Sequence, residues 1–216
     1  MVADRTIKQI VETLVQLDEQ SNLDSLPEVQ AMRQIVRLKP DFKENLISRL
    51  CVAAGLNDYQ EAVSANPEQG SYWGRFVQWA VNGGEGLPPW RRFPNTKAAR
   101  FNRFRNSKLW EAKLLGMDSG QVRVCLAETM KQNPFDKTIC FAPLVLARWA
   151  YVLQRPFTVV PNHPIPLDSR ISRLLKSVPG LDPHSALETA NQTRRTLGVR
   201  ELNMSDFDAW AWQSEG

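Results

Sequence analysis

Apolar residues recur along most of this chain at intervals of three and four, the spacing that lines one face of an α-helix. Ile7, Ile10, Val11, Leu14, Val15 and Leu17 set the pattern over residues 4–19. A second helix is predicted from Leu26 to Leu38. A third is predicted over 40–56, with Pro40 near its start and Gly55 past its end. Trp73, Phe76, Val77, Trp79 and Ala80 share one broad face of a helix over 71–81. The spacing predicts further helices over 96–115, 119–131 and 134–154, then an extended, proline-rich stretch over 155–167. Helices follow over 169–177, 183–197 and about 204–212. No alternation of period two is sustained, so the expected fold is all-α. Asn82-Gly83-Gly84-Glu85-Gly86-Leu87-Pro88-Pro89 is the clearest interruption. We expect one helical domain over residues 1–216, in two lobes, with a candidate break near 82–90.

Composition narrows the class. The 216 residues suffice for a real core. With 43% hydrophobic and 23% charged residues the chain is a globular mix. A net charge of +4 and a pI near 9.1 lean towards acidic partners. Cys51, Cys125 and Cys140 are far apart and form no C-x-x-C pair, which argues against a zinc site or an iron–sulfur cluster. Scattered cysteines fit a reducing cytoplasm. Met1-Val2-Ala3-Asp4-Arg5 has no signal pattern, and no apolar run approaches the ~20 residues of a membrane span.

The charge is not evenly spread. From Gly86 to Trp110 there is no acidic residue, while Arg91, Arg92, Lys97, Arg100, Arg103, Arg105 and Lys108 interleave with Trp90, Phe93, Phe101, Phe104 and Trp110. Such cations neutralise phosphates and release counterions, so these seven are candidates for binding a nucleic-acid backbone. The aromatics either stack on exposed bases or anchor the helix to its core. A solvated cationic face, a membrane surface and an acidic protein are the other uses of such a segment.

Two residues carry candidate chemistry. Asn133-Pro134 reads as a helix start, with Asn as N-cap and Asp136 at the third helical position. Lys137 then lies in the first turn, where the positive helix end and the neighbours Phe135, Ile139 and Phe141 disfavour the ammonium form. A nucleophilic lysine needs the neutral amine. Asp168 precedes Ser169-Arg170-Ile171 as an N-cap, on an approach stiffened by Pro164 and Pro166. One carboxylate oxygen can cap the helix while the other faces a reacting sugar. The plain alternatives are a surface lysine and a purely structural cap. The two residues are 31 apart and meet if the two helices pair.

Lys137-Thr138-Ile139-Cys140-Phe141-Ala142, followed by Pro164-Ile165-Pro166-Leu167-Asp168-Ser169-Arg170, resembles the archaeal 8-oxoguanine DNA glycosylases, a divergent branch of the helix–hairpin–helix glycosylase/lyases. Phe207-Asp208-Ala209-Trp210-Ala211-Trp212 resembles a third motif of that family. The likeness is strong over 130–175 and 207–212, extends in lesser degree to 90–110 and is weak over the N-terminal third. The superfamily's Leu-Pro-Gly-Val-Gly hairpin is absent, with Asn133-Pro134-Phe135-Asp136 in its place. Val178-Pro179-Gly180-Leu181 looks like the hairpin but lacks the lysine and reads as a loop.

The resemblance implies a two-lobed fold with a cleft, Lys137 as Schiff-base nucleophile and Asp168 as catalytic carboxylate. It implies Phe141 and Trp212 as the two faces around a flipped base and Asp208 as acceptor at its edge, with Pro166, Gln30 and Trp73 completing the pocket. Asp206 and Trp210 offer the same spacing, but Phe207 favours Asp208 and Trp212. The implied substrate is 8-oxoguanine in duplex DNA, with single-stranded DNA as a further partner. A monomer in the cytoplasm, at the nucleoid, needing neither metal nor cofactor, completes the expectation. A glycosylase for another damaged purine, a non-catalytic helical DNA-binding protein and a protein-interaction domain stay open.

Overall fold

The computed structural model of the chain describes residues 6–56, 72–90 and 92–214. These form eleven α-helices and two short 3₁₀ turns, and no strand occurs among the described residues. The helices are α1 (Ile7–Val15), α2 (Glu19–Asp24), α3 (Pro27–Leu38), α4 (Asn45–Gly55), α5 (Tyr72–Val81) and α6 (Pro94–Arg105). After 3₁₀ turns at Lys108–Glu111 and Leu114–Gly116 come α7 (Ser119–Met130), α8 (Lys137–Val152), α9 (Ser169–Ser177), α10 (Pro183–Thr196) and α11 (Met204–Ser214). The all-α class read from periodicity holds.

Side chains that bond their own backbone explain where the boundaries differ. The helix expected over 4–19 stops at Val15, because the Asp18 carboxylate accepts from Gln20 N and Ser21 N and starts α2. The helix expected over 96–115 ends at Arg105, and Ser107 Oγ accepts from Leu109 N to open a tight turn instead. Asn133 does not cap α8. Its Oδ1 accepts from Phe135 N at 2.8 Å, shaping a turn over 133–136, and the helix begins at Lys137 with Asp136 in the cap position. The Val178–Leu181 stretch is the turn between α9 and α10, with Gly180 at φ +81°.

Two apolar clusters lie on either side of α8. The larger takes Ile35, Leu50, Phe76, Phe101, Phe104 and Trp149 from α3 to α8. The smaller is built by the two ends of the chain, with Ile10 and Leu14 of α1, Leu174 of α9, Phe207 of α11 and Leu144 of α8. The 82–90 segment therefore joins α5 to α6 inside the larger cluster, and the division between clusters does not fall there. Gly84, at φ +64°, makes that turn, where a Cβ would stand 2.7 Å from Leu46 Cδ1.

Two contacts hold the Lys137 end of α8 in place. Gly55 lets α4 approach closely, since a Cβ there would be 3.0 Å from Thr138 O and 3.3 Å from Ala142 Cβ. Pro143, inside α8, supplies no N–H to the preceding turn. One turn earlier, His163 Nε2 bonds Cys140 O at 2.8 Å, and His163 is fully buried. Burial pushes this imidazole below its ordinary range, outweighing the bond to Cys140 O. Its ring ties the proline-rich approach to Asp168 onto the helix that begins at Lys137. Across the smaller cluster, Arg194 donates to Val15 O and Leu17 O and pairs with Glu19, closing the end of α1 against α10.

Candidate active site

Lys137 and Asp168 line one cavity, together with Trp73, Phe141, Asp208 and Trp212. The rest of its wall is Leu26, Pro27, Glu28 and Arg148. The helical period explains the convergence on α8. Lys137, Phe141 and Arg148 are four and then seven residues apart, so they fall on one face. Asp208 and Trp212 stand one turn apart on α11 in the same way.

Asp168 caps α9 through a single oxygen. Its Oδ1 accepts from Arg170 N and Ile171 N, both at 2.8 Å, which leaves Oδ2 for the cavity. Arg170 is 7% exposed and lays its guanidinium over the Trp212 ring, 4.2 Å from the centroid. The cap motif that carries Asp168 thus also backs the stacking ring.

The polar wall is a buried network. Arg148 Nη1 donates to Glu28 Oε1, and Arg148 Nη2 donates to Asp208 Oδ2 at 2.6 Å. Arg148 Cζ lies 5.4 Å from the Phe141 ring centroid. Burial pushes the Asp208 carboxyl up to about 6. Arg148 pulls it down, while Asp168 and Glu28 add to the rise. The competing pair is built into the fold: the Asp206 carboxylate accepts from Arg200 and from Asn203 N, and Trp210 packs in the smaller cluster.

Other expected positions fall elsewhere. Gln30 is exposed and reaches Asp24 O at 3.5 Å, away from the cavity; Glu28 takes the place on α3 that Gln30 was expected to fill. Two residues along a helix is a rotation of about 200°, so the two cannot share a face. Pro166 is buried but does not line the cavity. Lys97 is buried on the same stripe as Phe101 and Phe104, so it does not belong to the basic surface. Arg91 lies outside the described residues. Arg92, Arg103, Arg105 and Lys108 are exposed or partly so and Arg100 is half-buried, while Arg103 also donates to Met130 O at 3.0 Å. Of the aromatics there, Phe101 and Phe104 anchor α6 to the core, and Phe93, 72% exposed at φ +49°, faces solvent.

Glu28, Arg148, Arg170 and His163 were not singled out from sequence. Arg148 had a visible signal: it is the one charged residue after Lys137 in α8. Arg170 stood inside a quoted motif without a role. Among the described residues no group of three or more His, Cys, Asp or Glu is placed to hold a metal ion, and Cys51, Cys125 and Cys140 are free thiols. No helix among them is long and apolar enough to cross a membrane.

No curated protein matches the chain. The family model described as AGOG, N-glycosylase/DNA lyase, matches residues 11–212, nearly the whole sequence and every residue of the cavity. The chain therefore belongs to the AGOG family of N-glycosylase/DNA lyases.

Proposed function

We propose that this DNA glycosylase/lyase removes 8-oxoguanine, with Lys137 as the nucleophile and Asp168 as the carboxylate that steadies the sugar. The observation that carries the reading is the meeting of Lys137 and Asp168 in a cavity walled by Phe141, Trp212 and Trp73. A flipped base needs flat apolar faces and polar groups at its edge, and unstacking it costs a few kcal/mol. The ring pair supplies the faces and the Glu28–Arg148–Asp208 network supplies the edge.

In the proposed step the Lys137 nitrogen adds to C1′ as the bond from C1′ to the base breaks. The bonding pair leaves with the base, which takes up a proton. Asp168 Oδ2 faces the positive charge that develops on the sugar. Loss of the amine proton and opening of the ring give a Schiff base, and removal of a C2′ proton then expels the 3′ phosphate. The substrate is duplex DNA, with single-stranded DNA as a second partner, lying across the face that presents Arg92, Arg100, Arg103, Arg105 and Lys108. The chain acts as a monomer in which both lobes form a single domain, in the cytoplasm at the nucleoid.

The test is a comparison of duplexes that differ in a single base. The reading expects release of 8-oxoguanine with strand cleavage, and no release of an alkylated purine. Faster release of the alkylated purine would replace the substrate. Binding without cleavage of any lesion or abasic duplex would reduce the protein to a DNA-binding scaffold.

A further inference from the structure

Lys137 opens α8 and Asp168 caps α9, so their separation depends on how the chain between the two helices is fastened to α8. That stretch is clamped first at the start of α7. Thr158 O accepts from Ser119 N at 2.9 Å, and Val160 N donates to Ser119 Oγ at 2.9 Å. His163 N then donates to Val160 O, and the His163 ring reaches α8, with Nε2 2.8 Å from Cys140 O. His163 and Cys140 are 0% and 1% exposed. Cys140 stands three residues beyond Lys137, and its N–H donates to Asp136 O, so the turn between them is regular helix. His163 stands five residues before Asp168, with Pro164 and Pro166 between them to fix the backbone. The ring thus joins two short, stiff arms, one ending at the amine and the other at the carboxylate.

A carbonyl only accepts, so Nε2 carries the ring proton. Nδ1 is buried with no hydrogen-bond partner among the described residues, so among them Cys140 O is the ring's polar contact. Burial lowers the pKa of this imidazole, against the bond to Cys140 O, and Arg123 and His184 add to the fall. The donor is therefore a neutral N–H, which a neutral amide can replace. We infer that His163 is a positioning residue: its imidazole is the strut that sets the distance between the Lys137 nitrogen and the Asp168 carboxylate. This role rests on the proposed chemistry of those two residues. His163 does not line the cavity, so it acts through them. A reacting group misplaced by about 1 Å costs roughly a hundredfold in rate. Loss of the strut should be felt in the chemical step and not in the grip on DNA.

The test compares the full chain with His163→Gln, His163→Asn and His163→Phe under single turnover, on an 8-oxoguanine duplex and on an abasic duplex. The glutamine amide nitrogen reaches as far as Nε2, the asparagine amide stops at the place of Nδ1, and phenylalanine fills the ring's volume without a donor. His163→Gln should keep a maximal rate close to the parent. His163→Asn and His163→Phe should lose about ten- to a hundredfold per folded molecule, with the half-saturating protein concentration unchanged. Thermal melts give the folded fraction, and the split between glutamine and asparagine reads the reach of the donor even where phenylalanine is not tolerated. A purely structural role would lower the folded fraction and leave the rate per folded molecule alike in all variants, which would overturn the inference. So would a glutamine variant as slow as asparagine, or a loss confined to DNA affinity. If the parent nicks abasic DNA without releasing 8-oxoguanine, the substrate reading fails, and the same order of variants on abasic DNA still decides this role. A borohydride adduct of parent yield from Lys137→Gln would refute the nucleophile, and this role with it.

Discussion

Asp168 offers a test in which stability and chemistry separate. Its Oδ1 holds two backbone N–H groups of α9 at 2.8 Å, while Oδ2 is left for the cavity. Asparagine has the same acceptor at the same reach and caps about as well as aspartate, so Asp168→Asn should leave α9 intact. Asp168→Ala removes both bonds and should cost about 1 kcal/mol. At roughly 2–4 °C per kcal/mol for a domain of this size, the alanine variant should melt a few degrees lower and the asparagine variant close to the parent. Excision should fall equally in both. Both lose the negative charge facing the sugar, and removing one preorganised electrostatic group costs about a hundred- to a thousandfold in rate. Thermal melts and single-turnover excision from one 8-oxoguanine duplex read the two effects side by side. An asparagine variant that excises at the parent rate would make Asp168 a cap and nothing more. An alanine variant that melts with the parent would show that the Oδ1 bonds do not hold the start of α9.

Three further expectations follow from the cavity and the basic face. Trp212→Ala should slow excision of 8-oxoguanine by about tenfold or more, the worth of one base stack, and should slow nicking of an abasic site far less. Equal losses would place Trp212 outside base recognition. Ionised Asp208 is the stronger acceptor for the base and carries no competing O–H, so excision should fall as pH drops through about 6, while nicking of an abasic site keeps its profile. Because the folded protein raises this group, its contribution to stability is complete below the ordinary value of 3.8 and is lost as pH rises through about 6. The stability difference between parent and Asp208→Asn, followed by urea unfolding from pH 3 to 8, should therefore move against the activity. A difference that does not change with pH would contradict the assigned burial. Replacing Arg100, Arg103 and Arg105 together should weaken binding to damaged and undamaged duplex alike. The log–log salt dependence should become shallower by roughly one unit for each phosphate that is no longer neutralised, and an unchanged slope would take this face off the DNA.

The residues legible in the sequence were those whose local signals agree with their surroundings. Asp168 was visible as a cap because the helix it starts has apolar residues at helical spacing and a stiff approach, and both survive in the fold. In the sequence one apolar neighbour, Phe207, separates Asp208 and Trp212 from Asp206 and Trp210. The fold separates the pairs by rotation about α11, sending Asp206 to Arg200 and Asp208 to Arg148. What failed was rotation where the pattern is weak. On α3 the shift from Glu28 to Gln30 crosses the helix, and glutamine is the residue type expected at the surface. Lys97 shared the stripe of Phe101 and Phe104 at spacings of four and seven, so its burial could have been read from the same periodicity that predicted the helix. Arg148 and His163 could not be placed without the fold, because their partners lie 120, 60 and 23 residues away.

In the proposed reaction the Lys137 amine forms the covalent bond to DNA. Borohydride reduction of the reaction on an 8-oxoguanine duplex, run with the parent and with Lys137→Gln, identifies that amine. A protein–DNA adduct should form with the parent, and none with the variant while that variant still binds the duplex. An adduct of equal yield with Lys137→Gln would assign the bond to another amine.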